Sequence, residues 1–109
     1  MDCVFCKIIA RQIPSTIIAE NDDIIVIKDI HPKAPIHYLI MPKKHIKDIQ
    51  SFERGDCCLG SKMLLMAQKL SQEDPEASDF RLVINSGYKA GQRVFHVYTH
   101  FLAGRQMEE

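Results

Sequence analysis

Near the C-terminus, the run Gly91-Gln92-Arg93-Val94-Phe95-His96-Val97-Tyr98-Thr99-His100-Phe101 sets a phenol between two imidazoles at alternate positions. Its Val, Phe, Tyr and Thr content favours a β-strand, on which residues 96, 98 and 100 point to one face. Same-face neighbours on a strand lie roughly 6.6 Å apart, so His96 and His100 are expected about 13 Å apart and cannot ligate one metal together. Each must have its own task. At the other end of the chain, Cys3 and Cys6 form a Cys-x-x-Cys pair, a spacing that suits one zinc ion, one redox disulfide or two plain buried thiols. Zinc requires two further ligands, and His31, His37, His45, His96 and His100 are the available imidazoles.

The elements that must position these groups follow from the pattern of apolar residues. A short helix is expected over 4–10, ended by Ile13-Pro14, since a residue before proline is pushed out of the helical region. The β-branched runs 16–20 and 24–29 flank Asn21-Asp22-Asp23 and predict a hairpin. A strand over 37–41 follows the prolines 32 and 35 and is closed by Pro42. From Phe52 to Leu70 the period becomes helical, with Leu59, Met63, Met66, Ala67 and Leu70 on one stripe. Gly60 within it costs about 1 kcal/mol relative to alanine unless close packing uses the missing side chain. A polar connector over 71–78, a strand over 80–85, a glycine-containing loop over 86–91 and the final strand complete the order. That order predicts an α+β domain spanning 1–109, a mostly antiparallel five-stranded sheet with one long helix across a face.

The chain has 109 residues, enough for one modest core. Its 14 acidic and 14 basic residues balance, which argues against bulk electrostatic attachment to nucleic acid or to a membrane. The N-terminal stretch lacks the apolar core of a signal peptide, and no run approaches the roughly 18 apolar residues of a membrane span. A cytoplasmic location is therefore expected, where four cysteines read as thiols or metal ligands.

Taken together, Asp29-Ile30-His31-Pro32, Pro35-Ile36-His37-Tyr38, Met41-Pro42-Lys43-Lys44-His45-Ile46, Asn85-Ser86-Gly87, Gly91-Gln92, the His96/Tyr98/His100 strand and Gly104-Arg105-Gln106 closely resemble the histidine triad (HIT) family of nucleotide-binding proteins. The resemblance runs from Cys6 to Arg105 and is closest to the purine nucleoside phosphoramidate hydrolases. It implies a purine nucleoside monophosphate or related nucleotide as ligand, and a homodimer formed through the long helix and a continuous sheet. It further implies that His100 and His37 serve the phosphate, Asp29 the ribose, Ile18 and Ile27 the base, and Asn85, Gly91 and Gln92 the loop that meets phosphate and leaving group. Zinc-bearing members of the family are similar in an N-terminal Cys-x-x-Cys and two histidines, which here are Cys3, Cys6, His45 and His96. Such a site has no open position and would be structural.

Two residues depart from the family pattern. Tyr98 stands where the nucleophilic central histidine belongs. A neutral imidazole offers a lone pair at pH 7, whereas a phenol, with a reference pKa of about 10, needs a base. The phenol is also longer and would crowd the phosphorus. Catalysis is therefore expected to be impaired, with a non-enzymatic nucleotide sensor or interaction protein as the alternative. Arg93 replaces a small hydroxyl residue near the phosphate, where a guanidinium would hold an anion more firmly.

Overall fold

A computed structural model describes residues 3–109 of the chain. The elements are α1 (Val4–Ile9), β1 (Ile17–Glu20), β2 (Ile24–Lys28), β3 (Ile36–Pro42), α2 (Cys57–Glu73), β4 (Phe80–Val83) and β5 (Thr99–Ala103), joined by short 3-10 turns. The five strands form one sheet in the order β1-β2-β3-β5-β4, and every neighbouring pair is antiparallel. The α+β architecture read from the sequence is the one observed. Among the described residues, no helix is long and apolar enough to cross a membrane.

Both faces of the sheet are covered, which explains why β2 carries four consecutive buried residues, Ile24 to Ile27, with no polar alternation. Ile24 and Val26 face α2, where Met63, Met66, Ala67 and Leu70 meet Ile40 and Phe101. Ile25 and Ile27 face the other way, into a second cluster with Phe5 and Ile8 of α1 and with Leu39, Met41 and Tyr98. The candidate site opens on this second face.

The long helix, at both of its ends, and the final strand differ most in extent from the sequence expectation. The long helix begins at Cys57 because Arg54–Asp56 takes a tighter 3-10 turn. There, Glu53 and Asp56 cap one another's backbone, and the buried Asp56 also accepts from Lys44 Nζ at 2.5 Å. The helix also runs past Leu70 to Glu73, shortening the connector. An added Cβ at Gly60 would meet no atom within 4 Å, so close packing within the protomer does not use this glycine. The third difference concerns the final strand, which is regular only from Thr99. Its ladder partners stop there, Thr99 opposite Ile40 and His100 opposite Val83, the last residue of β4. Upstream, the chain is held by the loop after β3, with Val97 N–H donating to Ile46 O at 2.7 Å.

Candidate functional site

His96, Tyr98 and His100 still face α1 although only His100 is in a strand. The Phe5 ring meets both His96 (centroids 5.9 Å apart) and Tyr98 (5.2 Å) edge-on, and Tyr98 meets His100 edge-on at 5.2 Å. From there the two histidines diverge, as the spacing required.

His96 is fully buried and belongs to a cluster with Cys3, Cys6 and His45. Cys3 is the N-cap of α1, its sulfur accepting from Cys6 N–H, so this cysteine is part of the packed structure. Four of the separations between ligand atoms are known. Cys3 Sγ and Cys6 Sγ each lie 3.5 Å from His96 Nδ1, Cys6 Sγ lies 3.3 Å from His45 Nδ1, and the two Nδ1 atoms are 3.3 Å apart. A zinc tetrahedron with two sulfurs at ~2.3 Å and two nitrogens at ~2.05 Å has edges of about 3.3–3.4 Å between nitrogens and about 3.5–3.6 Å between nitrogen and sulfur. On these four edges the donor set fits that ion within 0.3 Å, and all four ligand atoms lie within 4.8 Å of one another. His96 Nε2–H donates to Pro42 O at 2.7 Å, which leaves Nδ1 as a lone pair aimed at the centre of the cluster. Burial, and then the neighbouring Cys3 thiol, push the Cys6 thiol up to about 11, so thiolate chemistry here calls for a cation.

His100 belongs to a second cluster with His37 and Asp29. The hydrogen bonds fix the tautomers. Lys33 N–H donates to His37 Nδ1 at 3.0 Å, so the proton of neutral His37 is on Nε2. That N–H faces His100 Nδ1 at 2.9 Å and lies 3.3 Å from Asp29 Oδ2. His100 Nδ1 is therefore an acceptor and its own proton sits on Nε2, which has no protein partner among the described residues. The Asp29 carboxylate is oriented by His31 N–H, donating to Oδ1 at 2.8 Å.

Burial holds both His37 and His100 below the ordinary histidine range; Asp29 pulls the other way and the Lys33 ammonium adds to the lowering. In the unfolded chain these imidazoles titrate near pH 6.5, so below that value the unfolded state binds more protons than the folded one. Stability is thus complete above about pH 6.5 and declines as pH falls beneath it. The thermal midpoint is expected to be level from pH 8 to 7 and to drop between pH 6.5 and 5. A shallower drop in the double variant His37→Gln/His100→Gln assigns the effect to this pair, and an equal one removes it.

A cavity of about 700 Å³ opens on this cluster, within the range of small-molecule sites. One wall is apolar, from Phe5, Ile8, Ile13, Ile27 and Leu39, and the other is polar, from Asp29, His37, Asn85, Arg93 and His100. Tyr98 lines it too, and its hydroxyl makes no hydrogen bond to the described residues. Gly91 is also in the lining, in the left-handed region at φ 102°, with Asn85 beside it. Sequence reasoning missed the wall that α1 supplies and the Lys33 ammonium. The spacing of Phe5 and Ile8, three apart on a helix, was the one available signal of a covered face.

Two of the expected ligand residues are elsewhere. Ile18 packs on the α2 side, because a β-bulge between Ile17 and Ala19 sets one extra residue of β1 against β2 and turns Ile18 from the cavity. Ile17, opposite Ile27, keeps the register on the other side of the bulge. Gln92 is fully buried and its amide is spent on backbone: Nε2 donates to Lys47 O (2.7 Å) and Val94 O (3.0 Å), and Oε1 accepts from Gly87 N–H (2.8 Å). It braces two loops and does not line the cavity. Gln92→Ala is expected to lower stability by about 2–3 kcal/mol, since it orphans buried backbone groups, and urea denaturation would read the change. A loss below about 0.5 kcal/mol contradicts the brace.

The chain has clear relatives. Residues 2–109 match the family described as scavenger mRNA decapping enzyme C-term binding. An uncharacterized HIT-like protein of Synechocystis sp. is 40% identical over 104 residues, 95% of this chain and 91% of that protein. Among solved structures, a HIT family hydrolase from Legionella pneumophila is 42% identical at a TM-score of 0.92, with 98% of this chain and 96% of that chain covered. A HIT family hydrolase from Clostridium thermocellum is 41% identical at a TM-score of 0.94, covering 99% and 95%.

Proposed function

Because this chain belongs to the histidine triad (HIT) family and is hydrolase-like in sequence and fold, we propose that it binds a purine nucleoside monophosphate or related nucleotide beside Tyr98. Its parent chemistry is hydrolysis of the phosphorus–nitrogen bond of nucleoside phosphoramidates, impaired here by the tyrosine. The observation that carries the reading is the ordered relay from Lys33 N–H through His37 to His100, which leaves one N–H without a protein partner on a cavity residue. That N–H serves a phosphate oxygen. Asp29, already oriented, takes the ribose hydroxyls; Ile27, with Phe5 and Ile8, takes the base; Asn85, Gly91 and Arg93 lie toward the phosphate and the leaving group.

The same relay argues that Tyr98 is a poor nucleophile. Its oxygen needs a group to accept its proton, yet the only lone pair of His100 is occupied by His37 N–H and the other nitrogen is already protonated. A non-enzymatic nucleotide sensor is accordingly the second reading. Titration with AMP is the first test of both, with a dissociation constant below 1 mM expected on the order-of-magnitude scale of a pocket this size. No binding at millimolar ligand removes the nucleotide site from either reading.

Cys3, Cys6, His45 and His96 hold a structural zinc in this proposal, tying α1 to the loop after β3 and to the approach to β5. A closed set of four protein ligands leaves no place for a substrate or an activated water. The protein pairs as a homodimer through α2 and the free edge of β4, whose apolar Leu64, Leu65 (each 60% exposed) and Phe80 otherwise face solvent. A solution mass of 12.5 kDa, that of one protomer, would remove the dimer.

A further inference from the structure

The four-ligand cluster and the cavity share one piece of the chain. Cys3 and Cys6 bracket Val4 and Phe5, and both bracketed residues line the cavity. Phe5 is buried, and its ring touches both sites, edge-on to His96 of the cluster at 5.9 Å and to Tyr98 of the cavity at 5.2 Å. Ile8, one turn on in the same helix, extends that wall. Farther along the chain, Arg93 and Val94 line the cavity just before His96.

The helix that carries this wall is not self-supporting. α1 has six residues, well short of the about 12–15 that an isolated helix needs to persist in water. It is capped from within, by Cys3 Sγ accepting from Cys6 N–H, and its buried side chains are Phe5 and Ile8. The phosphate side of the cavity is built differently. His37 and His100 lie on β3 and β5, in register opposite Leu102 and Leu39, and Asp29 N–H donates to His37 O at 3.0 Å. The sheet holds those positions without help from α1.

We infer that the metal site regulates the base end of the cavity: with Cys3, Cys6, His45 and His96 closed around zinc, α1 presents Phe5 as a fixed wall, and without the ion a nucleotide must order that wall itself. Ordering on binding subtracts from affinity. Phe5 is the positioning residue that joins the two sites. The coupling is reciprocal, so a bound nucleotide tightens the hold on zinc by the same factor. The inference rests on the nucleotide reading and on the zinc assignment given above.

Calorimetric titration of AMP in the cold, against the zinc-loaded chain freed of excess metal and against the chelated chain, tests this, with the sheet followed by far-ultraviolet circular dichroism. Chelation should weaken AMP binding about tenfold, inside the usual range of coupling between sites, and leave the sheet signal in place. Saturating AMP should lower the zinc dissociation constant by the same factor, read by competition with a chromophoric chelator. Zinc-loaded Phe5→Ala should keep its metal and bind AMP about as weakly as the chelated natural chain, with chelation then changing its affinity by less than about twofold. Equal AMP affinity with and without zinc overturns the coupling while the nucleotide reading stands. An undiminished chelation effect in Phe5→Ala overturns the role of Phe5, and loss of the sheet on chelation replaces a regulated wall with a purely structural ion. A zinc-loaded chain that does not bind AMP overturns the nucleotide reading as well, and a chain that takes up no zinc overturns the metal assignment.

Discussion

Tyr98→His is expected to raise the rate of adenosine phosphoramidate hydrolysis at least about 100-fold over the natural chain, since it restores a neutral nitrogen nucleophile at the centre of the cavity. The surroundings are already arranged for an imidazole there. Tyr98 is buried between the edges of Phe5 and His100, so a smaller ring in the same slot clears space for phosphorus without disturbing either neighbour. His100 offers its N–H and has no lone pair to spare, a state suited to holding a phosphate and unsuited to activating a phenol. Tyr98→Phe supplies the contrast: if the hydroxyl has no chemical role, its hydrolysis rate matches that of the natural chain. Natural activity equal to that of the histidine variant would sink the impaired-enzyme reading, and a fall in Tyr98→Phe would show the phenol at work.

Removal of the metal should have the larger effect on stability. Freshly purified protein is expected to contain close to one zinc per chain, and prolonged chelation to lower the thermal midpoint by roughly 10 °C or more, the equivalent of about 3 kcal/mol in a domain of this size. Without the ion, two imidazole lone pairs and two sulfurs face one another at 3.3–3.5 Å in a buried space. In the metal-free protein only weak S–H···N hydrogen bonds would join these atoms, a much smaller stabilisation than four metal–ligand bonds. Cys6→Ser and His45→Ala should each abolish zinc and reproduce the chelated midpoint, with α1 the first element to lose protection from hydrogen exchange. Zinc below about a tenth of an equivalent by elemental analysis rules the metal out.

The sequence went far with element types because the periodicities are strong. The β-branched runs of β1 and β2 and the helical stripe from Leu59 to Leu70 commit to strand and helix wherever they pack. Element ends were less legible. Nothing in residues 91–98 distinguishes a strand from an extended loop, because that depends on whether β4 reaches far enough to pair with them, and it stops at Val83. Ile18 shows the same limit, since a bulge is a property of two strands together.

What the sequence by itself determined is the inventory and its grouping: alternate His96, Tyr98 and His100, a Cys-x-x-Cys pair, the anomaly at Tyr98, and the resemblance that links them to a nucleotide. Alternation along an extended chain is enough to separate His96 from His100, because side-chain direction there is set by covalent geometry. Only the tertiary structure decided who meets whom. Burial of Gln92 turned an apparent ligand into a brace, and α1 folding onto the sheet brought Cys3 within 3.5 Å of a histidine 93 residues away. The protonated nitrogen of His100, on which the role of Tyr98 depends, follows from a backbone N–H four residues before His37. Hydrogen-bond direction passes through contacts in space, and no spacing along the chain encodes it.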